Sequence, residues 1–278
     1  MASQAKLILD SISTSDVRVA TMELTYPLII HNEVLTHRML WKTDDMQFDE
    51  WLDFSRSSSS NRAITSERII EQVLRDPYIP SQFMKSTRGM IAGEPLSPDE
   101  QSIARASWLR ARDVAVYECQ FLARQPLAVH KQWRNRLLSP FQYITTVMTG
   151  NAELWEHFFK LRDHSGAQPD FSYVAGLAHE LYRASRPQVL DWGEWHTPYA
   201  NDLDCSTEDR AKISVARCAR TSFLRQDEDH SLRDDLRLYA DLVSSVPPHD
   251  APREHVLTPV WKTQRVGNFV GWKPLRHA

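Results

Sequence analysis

The sequence predicts an α+β fold in which long helices pack on a small mixed or antiparallel sheet. Three observations predict it: a capped amphipathic run of about 28 residues starting at Ser97, two further helical runs later in the chain, and only brief stretches of period-two alternation. In chain order, residues 18–26 read as a strand, with Ala20, Met22, Leu24 and Tyr26 on one face. The stretch LIIHNEVLTHRML after Pro27 reads as a helix, on which Ile30, Val34 and His37 share a face, as do Glu33 and His37. Ser97-Pro98-Asp99-Glu100 is a capping box with Pro at the first helical position. Beyond it Ile103, Ala106, Val114, Tyr117 and Phe121 form an apolar face, interrupted by Arg110, on a helix about 40 Å long. A second helix runs from Pro169 to Ala184, with Phe171, Val174, Ala178, Leu181 and Tyr182 inward, and Arg186-Pro187 ends it. A third starts at Ser231, with Asp234 in its first turn, and presents Leu232, Leu236, Tyr239 and Val243. Pro247-Pro248 then forces a turn, and residues 255–260 read as a short strand. No repeat, linker or low-complexity tract beyond residues 57–60 interrupts the chain, so 1–278 is read as one domain.

Composition excludes several functions. With 42% hydrophobic and 25% charged residues the chain is globular rather than disordered, and 8 Gly with 15 Pro exclude a collagen-like chain. A formal charge of −3, from 33 basic and 36 acidic residues, argues against general nucleic-acid or membrane-surface binding and leaves a local basic pocket for phosphate open. No apolar run is long enough to span a membrane and residues 1–13 hold no signal core, so a soluble, cytoplasmic protein is expected. Cys119, Cys205 and Cys218 are odd in number and far apart, which disfavours a disulfide framework, and no metal-ligand spacing occurs.

Four segments carry candidate chemistry. Thr36-His37-Arg38 alone is equally a packing feature. In residues 55–62, SRSSSSNR, small hydroxyl residues flanked by Arg56 and Arg62 let backbone and guanidinium groups approach a phosphate, the alternative being a flexible Ser-rich loop. Arg134, Arg136, Asn151 and Arg162, beside Trp155, Phe158 and Phe159, suit either a stacked helix surface or a nucleobase and its phosphate. Gly193-Glu194-Trp195-His196 supplies too few ligands for a metal and reads as a structural turn.

Together these segments resemble the flavin-dependent thymidylate synthase family (ThyX). His37-Arg38, Ser55, Ser60 and Arg62 answer residues of its signature, Arg-His-Arg, two residues, Ser, one residue, Asn-Glu, one residue, Ser, one residue, Arg. The stretch from Asn135-Arg136 through Asn151 to His157-Phe158-Phe159-Lys160-Leu161-Arg162 resembles the later catalytic region. Ala216-Arg217-Cys218-Ala219-Arg220-Thr221-Ser222-Phe223 and Ala251-Pro252-Arg253-Glu254-His255 resemble two segments that precede the signature in the usual order and follow it here. The chain is thus similar to a circularly permuted, phage-type relative, with a signature block at 18–80, a catalytic helical block at 97–199, a permuted flavin-binding block at 208–262 and a C-terminal segment at 263–278. It departs from the pattern at Thr36 for the first Arg, Ser57-Ser58 for Asn-Glu, Glu33 for a Gln, His157 for an Asn, and an insertion of about 14 residues within 39–54.

The resemblance implies FAD as cofactor, NADPH and methylenetetrahydrofolate as co-substrates, and reductive methylation of dUMP at C5, the redox chemistry residing in the flavin. It implies Arg162 as the catalytic residue that stabilises the pyrimidine anion, and Ser58, Ser60, Arg62, Arg136, Arg162 and Glu33 as substrate-binding residues. It assigns His37, Arg38, Asn151, His157, Ser222 and His255 to the flavin, requires no catalytic cysteine and no metal, and expects a homotetramer with shared active sites. Because Glu33 suits the 4-amino group of cytosine, a deoxycytidylate methylase or hydroxymethylase is the rival enzyme. An inactive nucleotide-binding homologue is the rival of another class. The segment 267–272 either covers the site or packs.

Overall fold

Strand pairing organises the molecule. In the computed structural model, which describes residues 3–41, 50–88, 93–223 and 230–278, the first elements are β1 (Gln4–Ser13) and β2 (Arg18–Pro27), a helical turn α1 (His31–Leu35), the hairpin strands β3 (Arg38–Trp41) and β4 (Glu50–Asp53), and β5 (Ser55–Ser58). Then come α2 (Ser66–Arg75), α3 (Pro98–Ala123), α4 (Lys131–Arg134), β6 (Tyr143–Asn151), α5 (Ala152–Arg162), α6 (Pro169–Ala184) and β7 (Gln188–Leu190). The chain continues through α7 (Thr207–Ala219), α8 (Leu232–Ser244), β8 (Leu257–Pro259), β9 (Arg265–Val266), β10 (Phe269–Val270) and β11 (Trp272–Pro274). The main sheet has five strands in the order β5-β6-β2-β1-β7, antiparallel except for the β1–β7 pair. The architecture is α+β with a mixed sheet, as expected.

The two faces of that sheet differ. Ala20, Met22, Leu24 and Tyr26 on β2 are buried against Trp155, Phe158 and Phe159 of α5 and Phe171, Val174, Ala178 and Tyr182 of α6. Truncating a buried aromatic here, Phe158 for instance, costs about 3–5 kcal/mol. Phe54 seals the cluster edge-on to Trp155 at 4.5 Å between ring centres, and β6 admits it only because position 150 is glycine: a Cβ there would lie 2.7 Å from the Phe54 ring. On the opposite face of β2, Thr21, Glu23 and Thr25 are equally buried, so this strand is covered on both sides. A second core joins α2 and α3 through Ile69, Ile70, Val73, Val116 and Cys119.

Local signals place most element starts. Ser97 accepts from the Glu100 backbone, whose side chain accepts in return from the Ser97 N–H at 2.8 Å, and α3 follows for 26 residues. α6 spans its expected range, and Ser231 caps α8 with Asp234. All three cysteines are free, the expected turn forms at Gly193 with φ +85°, and no described helix is long and apolar enough to cross a membrane.

Several expectations are corrected. The apolar face expected inward on α3 points outward: Ile103 and Val114 are 68% and 61% exposed, and Tyr117 and Phe121 are exposed too, while Val116 and Cys119 face α2. Periodicity finds an apolar stripe but not what covers it. The helix expected over 28–40 breaks after Leu35, because residues 38–41 pair with residues 50–53 across the insertion; residues 42–49 lie outside the described residues. Leu181 is exposed although the rest of its α6 face is buried. On α8, Leu232 and Val243 are exposed and the buried residue is Asp235, held by Arg217 and Arg220 at 2.7–3.0 Å. The strand expected from His255 begins at Leu257, with His255 in a 3-10 turn. The C-terminal segment packs: Phe269 and Trp272 are buried with Val17 and Val19.

Candidate nucleotide site

Arg162 ends α5 and leans onto α1. Its Nε donates to Nε2 of His37 at 2.7 Å, its guanidinium lies 4.9 Å from the Phe171 ring centre, and its Nη1 is 3.9 Å from Glu33 Oε2. His37 is 3% exposed, wedged edge-on between Phe158 and Phe171 at 5.1 and 5.4 Å. Burial, reinforced by the Arg162 charge, lowers its pKa to about 4. The ring is therefore neutral, with Nδ1–H donating to the Glu33 carbonyl at 3.0 Å and the Nε2 lone pair receiving Arg162. Hence the sequence HNEVLTH does more than form a turn of helix: it spaces the Glu33 carbonyl and His37 so that the imidazole fixes a guanidinium by its inner nitrogen. Among the described residues the outer nitrogens keep only the long Glu33 contact.

The Ser-rich segment is ordered by its backbone. Ser59 exchanges bonds with Thr145 on β6, Ser60 N–H donates to the Ser222 carbonyl at 3.1 Å, and Asn135 Nδ2 donates to the carbonyls of Asn61 and Ile64. Lys131 Nζ caps the Ala63 carbonyl at 3.0 Å. This clasp places Arg62 on the residue beside Asn61 and Arg136 on the residue beside Asn135, both exposed. Arg62 makes no side-chain bond among the described residues. Arg136 donates to the Gln132 carbonyl and lies 5.5 Å from the Trp133 ring centre. Arg56, expected to flank a phosphate with Arg62, instead turns inward to Asp53 at 2.7 Å and to the carbonyls of Val34 and His37. Ser58 Oγ bonds Thr146 Oγ1 at 2.9 Å, which also meets the Tyr26 hydroxyl. Arg134, gathered with Arg136 in the sequence, lines a groove of about 490 Å³ between α2 and α3.

Residues expected at a flavin divide into two groups. Arg38 is 61% exposed, with a 3.8 Å pairing to Asp53, and His157 and Ser222 are half-buried at the surface. His37 is committed to Arg162. Asn151 uses both ends of its amide on the Val270 backbone, at 2.8 and 3.2 Å. His255 is fully buried with Nδ1 on Thr149 and Nε2 on Ser57, and burial pushes its pKa down to about 3. Arg38, His157 and Ser222 thus keep polar groups at the surface, whereas His37, Asn151 and His255 are committed to partners within the chain. Within one chain no described contact joins Arg162 to Arg62 or Arg136. No group of three or more His, Cys, Asp or Glu arranged to hold a metal occurs among the described residues.

His196, read from the sequence only as part of a turn, sits inside the sheet's polar face. It is fully buried, bonds Ser11 and Thr21 at 2.8 Å, and has its pKa lowered to about 3 by burial and then by His255. Its neighbours come from separate strands, so no local motif announces it.

Two solved structures similar to this chain are both of a nucleotide methylase. They are the UMP/dUMP methylase PolB from Streptomyces cacaoi, bound with 5-Br dUMP in one (19% identity, TM-score 0.42, covering 60% of this chain and 71% of that one) and with 5-Br UMP in the other (16% identity, TM-score 0.48, covering 66% and 87%). No protein-family model and no curated protein sequence matches the chain.

Proposed function

We propose that this protein is a flavin-dependent C5-methyltransferase of pyrimidine deoxynucleotides, converting dUMP to dTMP with methylenetetrahydrofolate and NADPH. One observation carries the reading: a guanidinium, Arg162, held at its inner nitrogen by a neutral buried histidine, with its outer nitrogens keeping only a 3.9 Å contact to Glu33 among the described residues. A pyrimidine made nucleophilic at C5 carries negative charge along N3 and O4, and donors fixed before the reaction stabilise that charge without reorganising. Arg62 and Arg136 suit the 5′-phosphate, since both are exposed and the loop that bears Arg62 is stiff. Ser58 and Ser60 line the same segment. FAD, held through Arg38, His157 and Ser222, would supply the hydride that completes the methyl group, NADPH restoring it. The methylene carbon comes from the folate; the C5 proton and one solvent proton end on the released tetrahydrofolate.

A second reading, a deoxycytidylate methylase or hydroxymethylase, is favoured by Glu33, whose carboxylate stands 3.9 Å from Arg162 and would accept from a 4-amino group. Tritium release from 5-labelled dUMP and dCMP, with FAD, NADPH and methylenetetrahydrofolate present, decides between them. Release from dUMP is expected; release from dCMP alone supports the second reading. A preparation that takes up no FAD and releases no tritium identifies an inactive nucleotide-binding homologue.

The proposal includes a homotetramer with shared sites. The outward apolar stripe of α3, with Val114, Tyr117 and Phe121, supports burial against another copy, and assembly would bring Arg162 of one chain toward Arg62 and Arg136 of another. Light scattering on the purified protein should give four times 32.2 kDa.

A further inference from the structure

A single file of hydrogen bonds crosses all five strands of the main sheet on its polar side. Starting at β7, Gln188 Nε2 donates to Ser11 Oγ on β1 at 3.2 Å, and Ser11 meets Nδ1 of His196 at 2.8 Å. Nε2 of His196 meets Thr21 Oγ1 on β2 at 2.8 Å, and Thr21 meets Thr149 Oγ1 on β6 at 2.7 Å. Thr149 meets Nδ1 of His255 at 2.8 Å, and Nε2 of His255 meets Ser57 Oγ on β5 at 2.9 Å. The interior members are buried to 1% exposure or less, so each must satisfy its polar atoms within the file.

The arithmetic of donors allows two directions, and the Gln188 amide donating to Ser11 selects one. Each interior hydroxyl has two partners and one proton, and each neutral imidazole has one N–H and one lone pair. A hydroxyl that accepts from one side must therefore donate to the other. With Gln188 donating to Ser11, the Ser11 proton goes to His196 Nδ1, His196 Nε2–H to Thr21, Thr21 to Thr149, Thr149 to His255 Nδ1, and His255 Nε2–H to Ser57. The last proton, on Ser57 Oγ, has no acceptor among the described residues, and Ser57 lies in β5, which leads into the segment that carries Ser60 and Arg62. A reversed file is equally self-consistent, but it starts from an acceptor at position 188 and leaves Ser57 with only lone pairs to offer. At the far end Gln188 pairs with Asn201, the two amides exchanging bonds at 3.1 Å.

We propose that His255 and His196 are positioning residues of a directional relay, set at Gln188, that makes the Ser57 hydroxyl a hydrogen-bond donor to the anionic ligand of the 57–62 loop. Ser57 is then a binding residue whose polarity is decided on the opposite edge of the sheet. The ligand part rests on the nucleotide reading; the relay itself does not.

The experiment is nitrogen NMR of the full chain labelled at histidine, at pH 8 where both rings are neutral, with dUMP binding measured by calorimetry on the same samples. In the parent protein His196 and His255 should both carry their proton on Nε2; a proton on Nδ1 of either overturns the relay. Gln188→Glu replaces the donor by an acceptor of the same shape, and should move the proton to Nδ1 on both rings at once. Unchanged tautomers in this variant overturn the proposal. Gln188→Glu and Ser57→Ala should each weaken dUMP about tenfold, since each removes one hydrogen bond to a charged group, and the double variant should lose no more than either alone. Additive losses, or dUMP affinity unaltered by Ser57→Ala, overturn the donor role of Ser57. If the parent protein binds no dUMP, the nucleotide reading fails while the tautomer result still decides the relay.

Discussion

Arg162 and Arg62 belong to one proposed site and are held in opposite ways. Arg162 is fastened by its side chain: Nε on His37, the guanidinium plane near Phe171, and both aromatic walls from helices that also form the main core. Arg62 is fastened by its backbone, in a segment clasped by Thr145, Ser222 and Asn135, while its side chain makes no bond among the described residues. The difference teaches what each group is for. A group that stabilises charge appearing during the reaction gains from being fixed beforehand, whereas a group that captures a phosphate needs only reach and charge, and can order its side chain on binding.

Arg162→Ala breaks the comparison most severely. Loss of a preset donor facing developing charge should lower the rate of dTMP formation about 10²–10³-fold, while bleaching of the flavin by NADPH continues. Single-turnover product formation beside stopped-flow absorbance checks both. Retained product formation would remove Arg162 from the reaction.

Acid tests the fastening itself. His37 is neutral in the folded protein with its pKa lowered to about 4, and His196 and His255 have theirs lowered to about 3. Unfolded histidines titrate near 6.5, so between these limits the unfolded chain binds more protons than the folded one. Stability from these rings is fully present above about pH 6.5 and falls as pH drops toward the folded values, at about 1.4 kcal/mol per pH unit for each ring. Urea midpoints measured from pH 7 to pH 4 should decline steeply, and the decline should be shallower in His37→Gln. A flat profile would mean that the rings are not buried neutral.

Arg62→Ala should raise the Kd for dUMP about tenfold, the worth of a charge-assisted bond, with kcat little changed. Equal losses in kcat and in affinity would place Arg62 with Arg162 rather than with the phosphate.

How far the sequence showed this follows from the range of the interactions. α3, α6 and α8 were legible at their starts because Ser97, Pro169 and Ser231 act within one turn of chain. The apolar stripe of α3 was legible too, but its direction was not, since what covers Val114 and Tyr117 is not encoded within the helix. β3 was hidden because its partner, residues 50–53, lies beyond an insertion. At the candidate site, Arg162 and His37 stood out by resemblance, yet their mutual bond, at a separation of 125 residues, did not. Thr21, Thr149, Ser11 and Gln188 carried no motif at all: only strand order brings them into file.

The smallest effect separates geometry from charge. Lysine keeps the charge of arginine but lacks Nε and the planar fork. At position 62, where the side chain makes no bond among the described residues, Arg62→Lys should recover most of the affinity lost in Arg62→Ala and differ from the parent only a few-fold. At position 162 the same exchange removes the nitrogen that His37 accepts from, so Arg162→Lys should be nearly as slow as Arg162→Ala. It would also leave the His37 lone pair without its donor in a buried aromatic cage, a loss of about 1–3 kcal/mol that thermal unfolding would register, whereas Arg62→Lys should leave the melting temperature where it was. Equal rescue at both positions would show that the His37 bond orders Arg162 without contributing to its action, and the contrast between the two arginines would reduce to one of burial.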